Sequence, residues 1–135
     1  MARILVVDDE KEVVYIIRFV LEKAGYTVWT AGNGVEALAV LGIDPPNPDA
    51  AVPDLVFLDV MMPVMDGHTA SVRMRDDKRT AGLPIIVETA YGDMLHLFEG
   101  APNVVGFLQK PFNPRQINEQ VEKVLSRTKP RAITP

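Results

Sequence analysis

The sequence contains no cysteine and no long hydrophobic run, and these two absences exclude several classes of protein. Without cysteine there is no disulfide framework, no thiol catalysis and no thiolate metal site. No apolar stretch approaches the ~20 residues that a membrane-spanning helix requires, and the first residues lack the apolar core of a signal peptide. We therefore expect a cytoplasmic protein that does not act at a membrane.

The sequence also lacks an excess of basic side chains. Its 135 residues include 14 lysines and arginines against 18 aspartates and glutamates, a formal net charge of −4. Nucleic-acid binding depends on clustered Lys and Arg, so we expect no nucleic-acid binding by this chain. The apolar fraction of 47% and the charged fraction of 24% are those of an ordinary globular domain. We expect one domain at residues 1–127 and a flexible tail at residues 128–135.

Short apolar runs alternate with helical patterns along the chain. The runs that predict strands are residues 4–7, 27–30, 55–58, 85–87 and 104–108. Helical periodicity or capping residues such as Asn33 and Asn113 follow these runs. This alternation predicts an α/β fold with a parallel sheet and helices on both faces. Residues 42–53 hold four prolines, which predicts a loop rather than a linker between domains.

Polar side chains follow four of the five predicted strands. They are Asp8, Asp9 and Glu10 after the first strand, Asp59 after the third, Thr89 after the fourth and Lys110 after the fifth. Because ligands in open α/β sheets bind at the carboxyl ends of the strands, we expect these groups to gather at one edge. Clustered carboxylates repel one another, and a hard divalent cation such as Mg²⁺ relieves that repulsion. With a lysine and a hydroxyl group alongside, the site suits a phosphoryl group and a carboxylate nucleophile.

Five short segments, taken in order, resemble the receiver domain of two-component response regulators, as in the single-domain regulators of chemotaxis. They are residues 6–10 (Val-Val-Asp-Asp-Glu), 58–63 (Leu-Asp-Val-Met-Met-Pro), 65–67 (Met-Asp-Gly), 89–90 (Thr-Ala) and 110–112 (Lys-Pro-Phe). Each segment alone is a weak signal, but together they extend over almost the whole chain. The resemblance implies a flavodoxin-like, doubly wound (βα)5 three-layer fold with parallel strand order 2-1-3-4-5.

The resemblance also implies which residues hold the metal and the phosphoryl group. Asp59 matches the phosphoacceptor. Asp8, Asp9 and the backbone carbonyl of Met61 would join Asp59 as ligands of Mg²⁺, for which Mn²⁺ could substitute. The donor would be a sensor histidine kinase or a histidine phosphotransfer protein, and the output would be the binding of a downstream target protein.

Three further residues match positions that respond to the phosphoryl group. Thr89 would form a hydrogen bond with it, Lys110 would pair with it, and Phe107 would turn inward once Thr89 moves. Lys110 precedes Pro111, a bond that is often cis in the family. The chain would then be a stand-alone phosphorylation-dependent switch and not an enzyme, with self-phosphotransfer and autodephosphorylation as its only activities.

Other functions remain as alternatives. The chain could be a phosphorelay intermediate or the receiver fragment of a longer regulator. A Mg²⁺-dependent aspartyl phosphatase is disfavoured, because the residue two positions after Asp59 is Met61, which cannot act as a general acid. Residues 32–37 fit the dinucleotide pattern G-x-G-x-x-A, but they follow the second strand, so we interpret them as a capped helix start.

Three features depart from the receiver pattern. The loop at residues 42–53 is several residues longer than expected, but it lies away from the predicted site. Glu88 stands where an apolar residue is expected, and strand alternation points it away from Thr89, toward solvent or a salt bridge. The segment between Thr89 and Lys110 is short and includes only a brief fourth helix, at residues 93–98. The switch surface of such domains is therefore expected to differ here.

Overall fold

The computed structural model describes residues 2–128, with the side chains of residues 2–126. The strands are β1 (Arg3–Val7), β2 (Thr27–Ala31), β3 (Leu55–Asp59), β4 (Ile85–Thr89) and β5 (Val104–Gln109). The helices are α1 (Lys11–Lys23), α2 (Gly34–Val40), α3 (Gly67–Arg75) and α4 (Pro114–Thr128), with a 3₁₀ segment at Gly92–Phe98. The strands pair in parallel in the order β2-β1-β3-β4-β5, which confirms the expected topology.

Two apolar layers cover the sheet, one on each face, because successive side chains of a strand point to opposite faces. One layer packs β-strand residues such as Leu5, Leu58 and Val87 against α2 and α3. The other packs residues such as Phe57 and Ile86 against α1 and α4. The three-layer arrangement is thus confirmed, and the inner strands β3 and β4 are buried along their whole length. None of the helices described is long and apolar enough to cross a membrane.

The predicted helix ends are confirmed by their capping contacts. Oδ1 of Asn33 accepts the backbone N–H of Glu36 at 2.9 Å, so the G-x-G-x-x-A pattern is a capped helix start. Asn113 and Gln116 form a reciprocal capping box, with both hydrogen bonds at 2.9 Å. Gly25 follows α1 with a φ of +100°, a conformation that favours glycine.

Residues 42–53 form the predicted loop, without helix or strand. Arg79 holds this loop through two hydrogen bonds, from Nη1 to the carbonyl of Leu41 at 2.9 Å and from Nη2 to the carbonyl of Ala50 at 2.6 Å. The loop leads into the amino end of β3, so it lies at the end of the sheet opposite Asp59. Its length therefore does not alter the edge where the polar side chains gather.

The C-terminal end of the domain is described only in part. Helix α4 includes Thr128, the first residue of the predicted tail. Residues 129–135 lie outside the described residues, so the domain boundary at residue 127 stays a prediction.

Candidate functional site

One lysine ammonium group contacts three carboxylates at the carboxyl edge of the sheet. Nζ of Lys110 lies 2.7 Å from Oε1 of Glu10, 3.0 Å from Oδ2 of Asp8 and 3.4 Å from Oδ1 of Asp59. Three elements bring these groups together, since Asp8 follows β1, Asp59 ends β3 and Lys110 follows β5. The predicted meeting of these side chains is confirmed. The Lys110–Pro111 peptide bond is cis.

The carboxylates form a cluster that fits a divalent cation. Oxygens of Asp8, Glu10 and Asp59 all lie within 4.8 Å of one another. Asp8 and Asp59 are buried, and Oδ2 of Asp8 faces the ammonium group of Lys110. Three carboxylates against one ammonium group leave an excess of negative charge, and oxygen ligands of this kind suit Mg²⁺.

The electrostatics of the cluster favour protonation of Asp59. Burial, followed by the charge of Asp8, raises the pKa of Asp59 from its ordinary 3.8 to about 7, against the opposing charge of Lys110. Burial alone would lower the pKa of Lys110. Hydrogen bonds to Glu10 and Asp8 and the negative charges nearby outweigh it, so the pKa of Lys110 is raised and the ammonium stays charged. A cation at the cluster favours the ionised form of Asp59.

Glu88 lies inside this site, and its expected exposure to solvent is wrong. Its side chain is 0% exposed, because β4 is covered by helices on both faces of the sheet. The alternative expectation of a salt bridge fits better, since Oε1 of Glu88 lies 3.9 Å from Nζ of Lys110. Burial, followed by a hydrogen bond to Asp8 and the charge of Asp8, raises the pKa of Glu88 well above its ordinary value.

The pKa of Asp8 shifts in the opposite direction from that of Glu88. Burial raises the pKa of Asp8, but hydrogen bonds from Glu88, from the backbone N–H of Glu10 and from Lys110 outweigh it and lower the pKa overall. The N–H of Glu10 donates to Oδ1 of Asp8 at 2.8 Å. Asp8 is thus an ionised carboxylate of the cluster, and the N–H of Glu10 fixes its orientation.

Two of the predicted metal ligands are not part of the carboxylate cluster. Asp9 is exposed and has no ion pair or hydrogen bond within residues 2–126. The side chain of Met61 is also exposed, and its predicted role concerns the backbone carbonyl alone. Glu10 occupies the place in the cluster that the resemblance gave to Asp9. The assignments of Asp9 and Met61 stay predictions.

Thr89 joins the site through its backbone, since its carbonyl oxygen accepts the N–H of Lys110 at 2.8 Å. Thr89 is buried at the end of β4, where its Oγ1 accepts the backbone N–H of Tyr91 at 3.0 Å. Phe107, on β5, is 42% exposed, so it is not part of the core in this structure. An outward aromatic ring fits a residue that turns inward on switching, and both roles stay predictions.

Gly67 brings the start of α3 against the backbone of Asp59. The N–H of Gly67 donates to the carbonyl of Val60 at 2.9 Å, and a Cβ at Gly67 would lie 2.0 Å from the carbonyl oxygen of Asp59. Asp66 caps the helix, since its Oδ1 accepts the N–H of Thr69 at 2.8 Å. The interpretation of Asp66 and Gly67 as a helix start is confirmed, and the glycine permits this close approach.

Comparison with known protein families gives the family of this chain. The model of the response regulator receiver domain matches residues 4–122. The chain belongs to the response regulator receiver domain family. This receiver domain is therefore a unit of two-component signalling, and its Asp8–Glu10–Asp59 cluster is compatible with the Mg²⁺ that receiver domains bind.

Curated relatives of this receiver domain are longer regulators. The alkaline phosphatase synthesis transcriptional regulatory protein PhoP of Bacillus subtilis is 37% identical over 130 residues, which cover 93% of this chain and 49% of the relative. The DNA-binding dual master transcriptional regulator RpaA of Synechocystis is 36% identical over 131 residues, 95% of this chain and 51% of the relative. The receiver domain spans about half the length of these relatives.

Two solved structures share the fold along almost their whole length. The chemotaxis protein CheY4 of Vibrio cholerae has a TM-score of 0.80 at 31% identity, with 93% of this chain and 99% of that chain covered. The response regulator TrrA of Thermotoga maritima, in complex with Mg²⁺ and BeF, has a TM-score of 0.73 at 32% identity, with 93% and 100% covered. These neighbours confirm the flavodoxin-like fold.

Sequence reasoning did not assign roles to Glu10 and Glu88 at the site. Glu10 directly follows the two predicted acidic ligands, but spacing alone did not show that Lys110 would pair with it. Glu88 carried a usable signal, because a charged residue in an otherwise apolar strand requires a polar partner nearby.

Proposed function

We propose that this receiver domain is a phosphorylation-dependent switch that accepts a phosphoryl group on Asp59. The observation that carries the proposal is the pairing of Asp59 with Lys110. Asp59 is 4% exposed, and its Oδ1 lies 3.4 Å from the ammonium group. A nucleophilic carboxylate beside a fixed positive charge and a cation-binding cluster suits phosphoryl transfer.

The donor is proposed to be a phosphohistidine on a sensor kinase or on a phosphotransfer protein. A carboxylate oxygen of Asp59 attacks phosphorus, the phosphorus–nitrogen bond breaks, and the imidazole nitrogen keeps the electron pair. The product is an acyl phosphate on Asp59. Bound Mg²⁺, for which Mn²⁺ is proposed to substitute, supplies positive charge to the phosphoryl oxygens. Lys110 is placed to pair with another of these oxygens, since its ammonium group already lies beside Asp59.

The acyl phosphate is proposed to change the conformation of the domain through Thr89 and Phe107. The hydroxyl group of Thr89 gives up its contact with the N–H of Tyr91 and donates a hydrogen bond to a phosphoryl oxygen. Phe107 turns inward from its exposed position on β5. New hydrogen bonds to a charged group stabilise one of two conformations, so the population shifts and partner binding changes.

The output is proposed to be the binding of a downstream protein. Relatives named as transcriptional regulators are about twice as long as this chain, so the receiver fragment of a longer regulator and a phosphorelay intermediate stay as alternatives beside a stand-alone switch. Any hydrolytic activity is proposed to be limited to slow loss of the domain's own phosphoryl group. The exposed Met61, two positions after Asp59, offers no general acid for a phosphatase.

Intact-protein mass after incubation with Mg²⁺ and acetyl phosphate tests the proposal. We expect one added phosphoryl group on the wild-type chain, and none on Asp59→Asn or in the presence of EDTA. Asp54→Asn is the matched control, because Asp54 directly precedes the amino end of β3 whereas Asp59 ends it. The proposal fails if the wild-type chain neither gains a phosphoryl group nor releases phosphate from the donor.

A further inference from the structure

Helix α1 carries a row of large apolar side chains that the rest of the described chain leaves exposed. Tyr15 is 69% exposed, Ile16 46% and Phe19 55%. The rings of Tyr15 and Phe19 stack one turn apart, with their centroids 6.4 Å from each other. With Pro114 at the start of α4, these side chains line a groove of about 480 Å³. Adjacent exposed apolar side chains of this kind are typical of a protein–protein contact.

A charged residue stands at each end of this row. Glu12, Ile16, Phe19 and Lys23 follow one another at spacings of four, three and four residues, so they share one face of the helix. Glu12 and Lys23 are exposed, and neither forms an ion pair within residues 2–126. Nζ of Lys23 lies over the ring of Phe19, 5.7 Å from its centroid. We call Glu12, Tyr15, Ile16, Phe19 and Lys23 the α1 face.

The charges of the α1 face are complementary to those of the same face read in the opposite direction. Arg18 and Glu22, which flank the face, neutralise each other in an ion pair of 3.0 Å. One negative charge, from Glu12, therefore remains at the amino end of the helix, and one positive charge, from Lys23, remains at the carboxyl end. Opposite charges at the two ends suit a second copy of this helix that runs antiparallel to the first.

A two-fold axis at the middle of α1 brings every part of the face against a suitable part of the second copy. The residue pairs Glu12–Lys23 and Ile16–Phe19 have the same midpoint along the helix. In the antiparallel arrangement, Glu12 of each copy therefore lies opposite Lys23 of the other, and Ile16 lies opposite Phe19. A two-fold interface repeats each contact, so two charge pairs enclose the apolar centre. A parallel arrangement would instead place Glu12 against Glu12 and Lys23 against Lys23, which costs binding free energy.

We propose that the α1 face is a homodimer interface, in which two copies of this receiver domain pack their α1 helices antiparallel. The inference goes beyond the proposed function, because it involves neither the phosphoryl group nor the cation. The charged ends of the face are about 16 Å apart along the helix, so the interface belongs to the small and weak class. The dimer is populated at protein concentrations on the order of 100 µM.

The alternative occupant of the α1 face is a different protein, such as the phosphodonor. That protein would bring its own charges, so nothing would require the two ends of α1 to complement each other. The two occupants differ in what the purified chain does alone. Only a homodimer interface makes the chain associate with itself, and only the antiparallel arrangement makes a charge reversal at one end compensate a reversal at the other.

Sedimentation velocity of the unphosphorylated chain in EDTA, over a range of concentrations, is the test. Glu12→Lys and Lys23→Glu each place like charges at both ends of the dimer, so we expect each to raise the dissociation constant about tenfold or more. The double variant exchanges the two charges and should return to within about threefold of wild type. Lys78→Glu and Glu99→Lys are the matched controls, since they make the same charge changes at exposed positions outside α1.

A mixture of the two single variants gives the sharpest comparison. Glu12→Lys mixed with Lys23→Glu has opposite charges at both ends of a mixed dimer, so we expect the mixture to associate at least tenfold more tightly than either variant alone. Phe19→Ser should weaken the dimer about tenfold or more, because it removes the apolar centre. Val35→Ser, at an exposed apolar position on α2, should leave the dissociation constant within about threefold of wild type.

Thermal unfolding checks that each variant folds, and the exposure of the substituted side chains favours this. A wild-type chain that stays monomeric up to about 500 µM overturns the proposal and leaves the α1 face to a different protein. A dimer that both single charge variants leave unchanged also overturns it, because the interface then lies elsewhere. Weakened single variants that neither the double variant nor the mixture restores rule out the antiparallel arrangement.

Discussion

Nζ of Lys110 lies 2.7 Å from Oε1 of Glu10, closer than to any other carboxylate oxygen of the site. The two residues are 100 positions apart in the sequence. This ion pair occupies Glu10 in the absence of a cation, so a cation that bound Glu10 would compete with the ammonium group. Asp9, which has no ion pair within the described residues, is free to turn toward a cation without losing a contact.

This difference predicts which acid matters more for Mg²⁺ binding. We expect Asp9→Asn to weaken Mg²⁺ binding by about 10-fold or more, and Glu10→Gln by clearly less, because only Asp9 is unpaired at rest. Calorimetric titration of both variants with Mg²⁺ measures the two losses. The opposite order, with Glu10→Gln the weaker binder, would show that the cluster seen here is also the set of ligands.

Gly67 is predicted to be indispensable for the geometry of Asp59. A Cβ at this position would lie 2.0 Å from the carbonyl oxygen of Asp59, so Gly67→Ala forces the backbone of α3 and β3 apart. We expect Gly67→Ala to lower the free energy of unfolding by about 2–4 kcal/mol, as overpacking against rigid backbone does.

Urea denaturation measures this loss. Gly82→Ala is the matched control, because a Cβ at Gly82 would have no heavy atom within 4 Å. It should leave the free energy of unfolding within about 0.5 kcal/mol of wild type. Equal effects of the two substitutions would contradict the close approach of Gly67 and Asp59.

The raised pKa of Asp59 predicts how stability depends on pH. Burial raises this pKa from 3.8 to about 7, so between these values the folded chain holds a proton that the unfolded chain releases. The free energy of unfolding therefore falls as the pH rises from 4 to 7, and the contribution of the protonated group is lost above pH 7.

Asp59→Asn removes this dependence, since its amide does not ionise. In EDTA we expect the variant to be more stable than wild type at pH 8, by about 1–3 kcal/mol, with a much smaller difference at pH 4. Urea denaturation at the two pH values measures it, with Asp54→Asn as the control. The same stability difference at both pH values would rule out a raised pKa at Asp59.

Arg79 is predicted to stabilise the long loop without affecting the site. Its guanidinium group donates to the carbonyl of Leu41, directly before the loop, and to the carbonyl of Ala50, within it. We expect Arg79→Ala to lower the free energy of unfolding by about 1–3 kcal/mol, and Arg79→Lys to recover little, because one ammonium group does not match the fork of the guanidinium. Mg²⁺ affinity and the phosphoryl adduct should stay at wild-type values. A weakened Mg²⁺ site in Arg79→Ala would instead link the loop to the site.

Local patterns in the sequence were sufficient for most of the fold. Apolar runs predicted all five strands. The run for β1 began one residue late, and the other four runs ended one or two residues before their strands end. Capping residues such as Asn33 and Asn113 marked helix starts because their hydrogen bonds reach only three residues along the chain. The strand order came from the resemblance, since pairing between distant strands is not encoded in any local pattern.

What the sequence by itself determined is the set of groups at the site: Asp8, Asp59 and Lys110 reach one edge because parallel strands all end there. What only the tertiary structure decided is how these groups pair. The contacts of Lys110 with Glu10 and Glu88 depend on β4 and the segments after β1 and β5 meeting in space. The pKa of Glu88 depends on burial, which a single strand cannot set. Helices on both faces of the sheet exclude water from β4 and leave the carboxyl group of Glu88 beside Lys110.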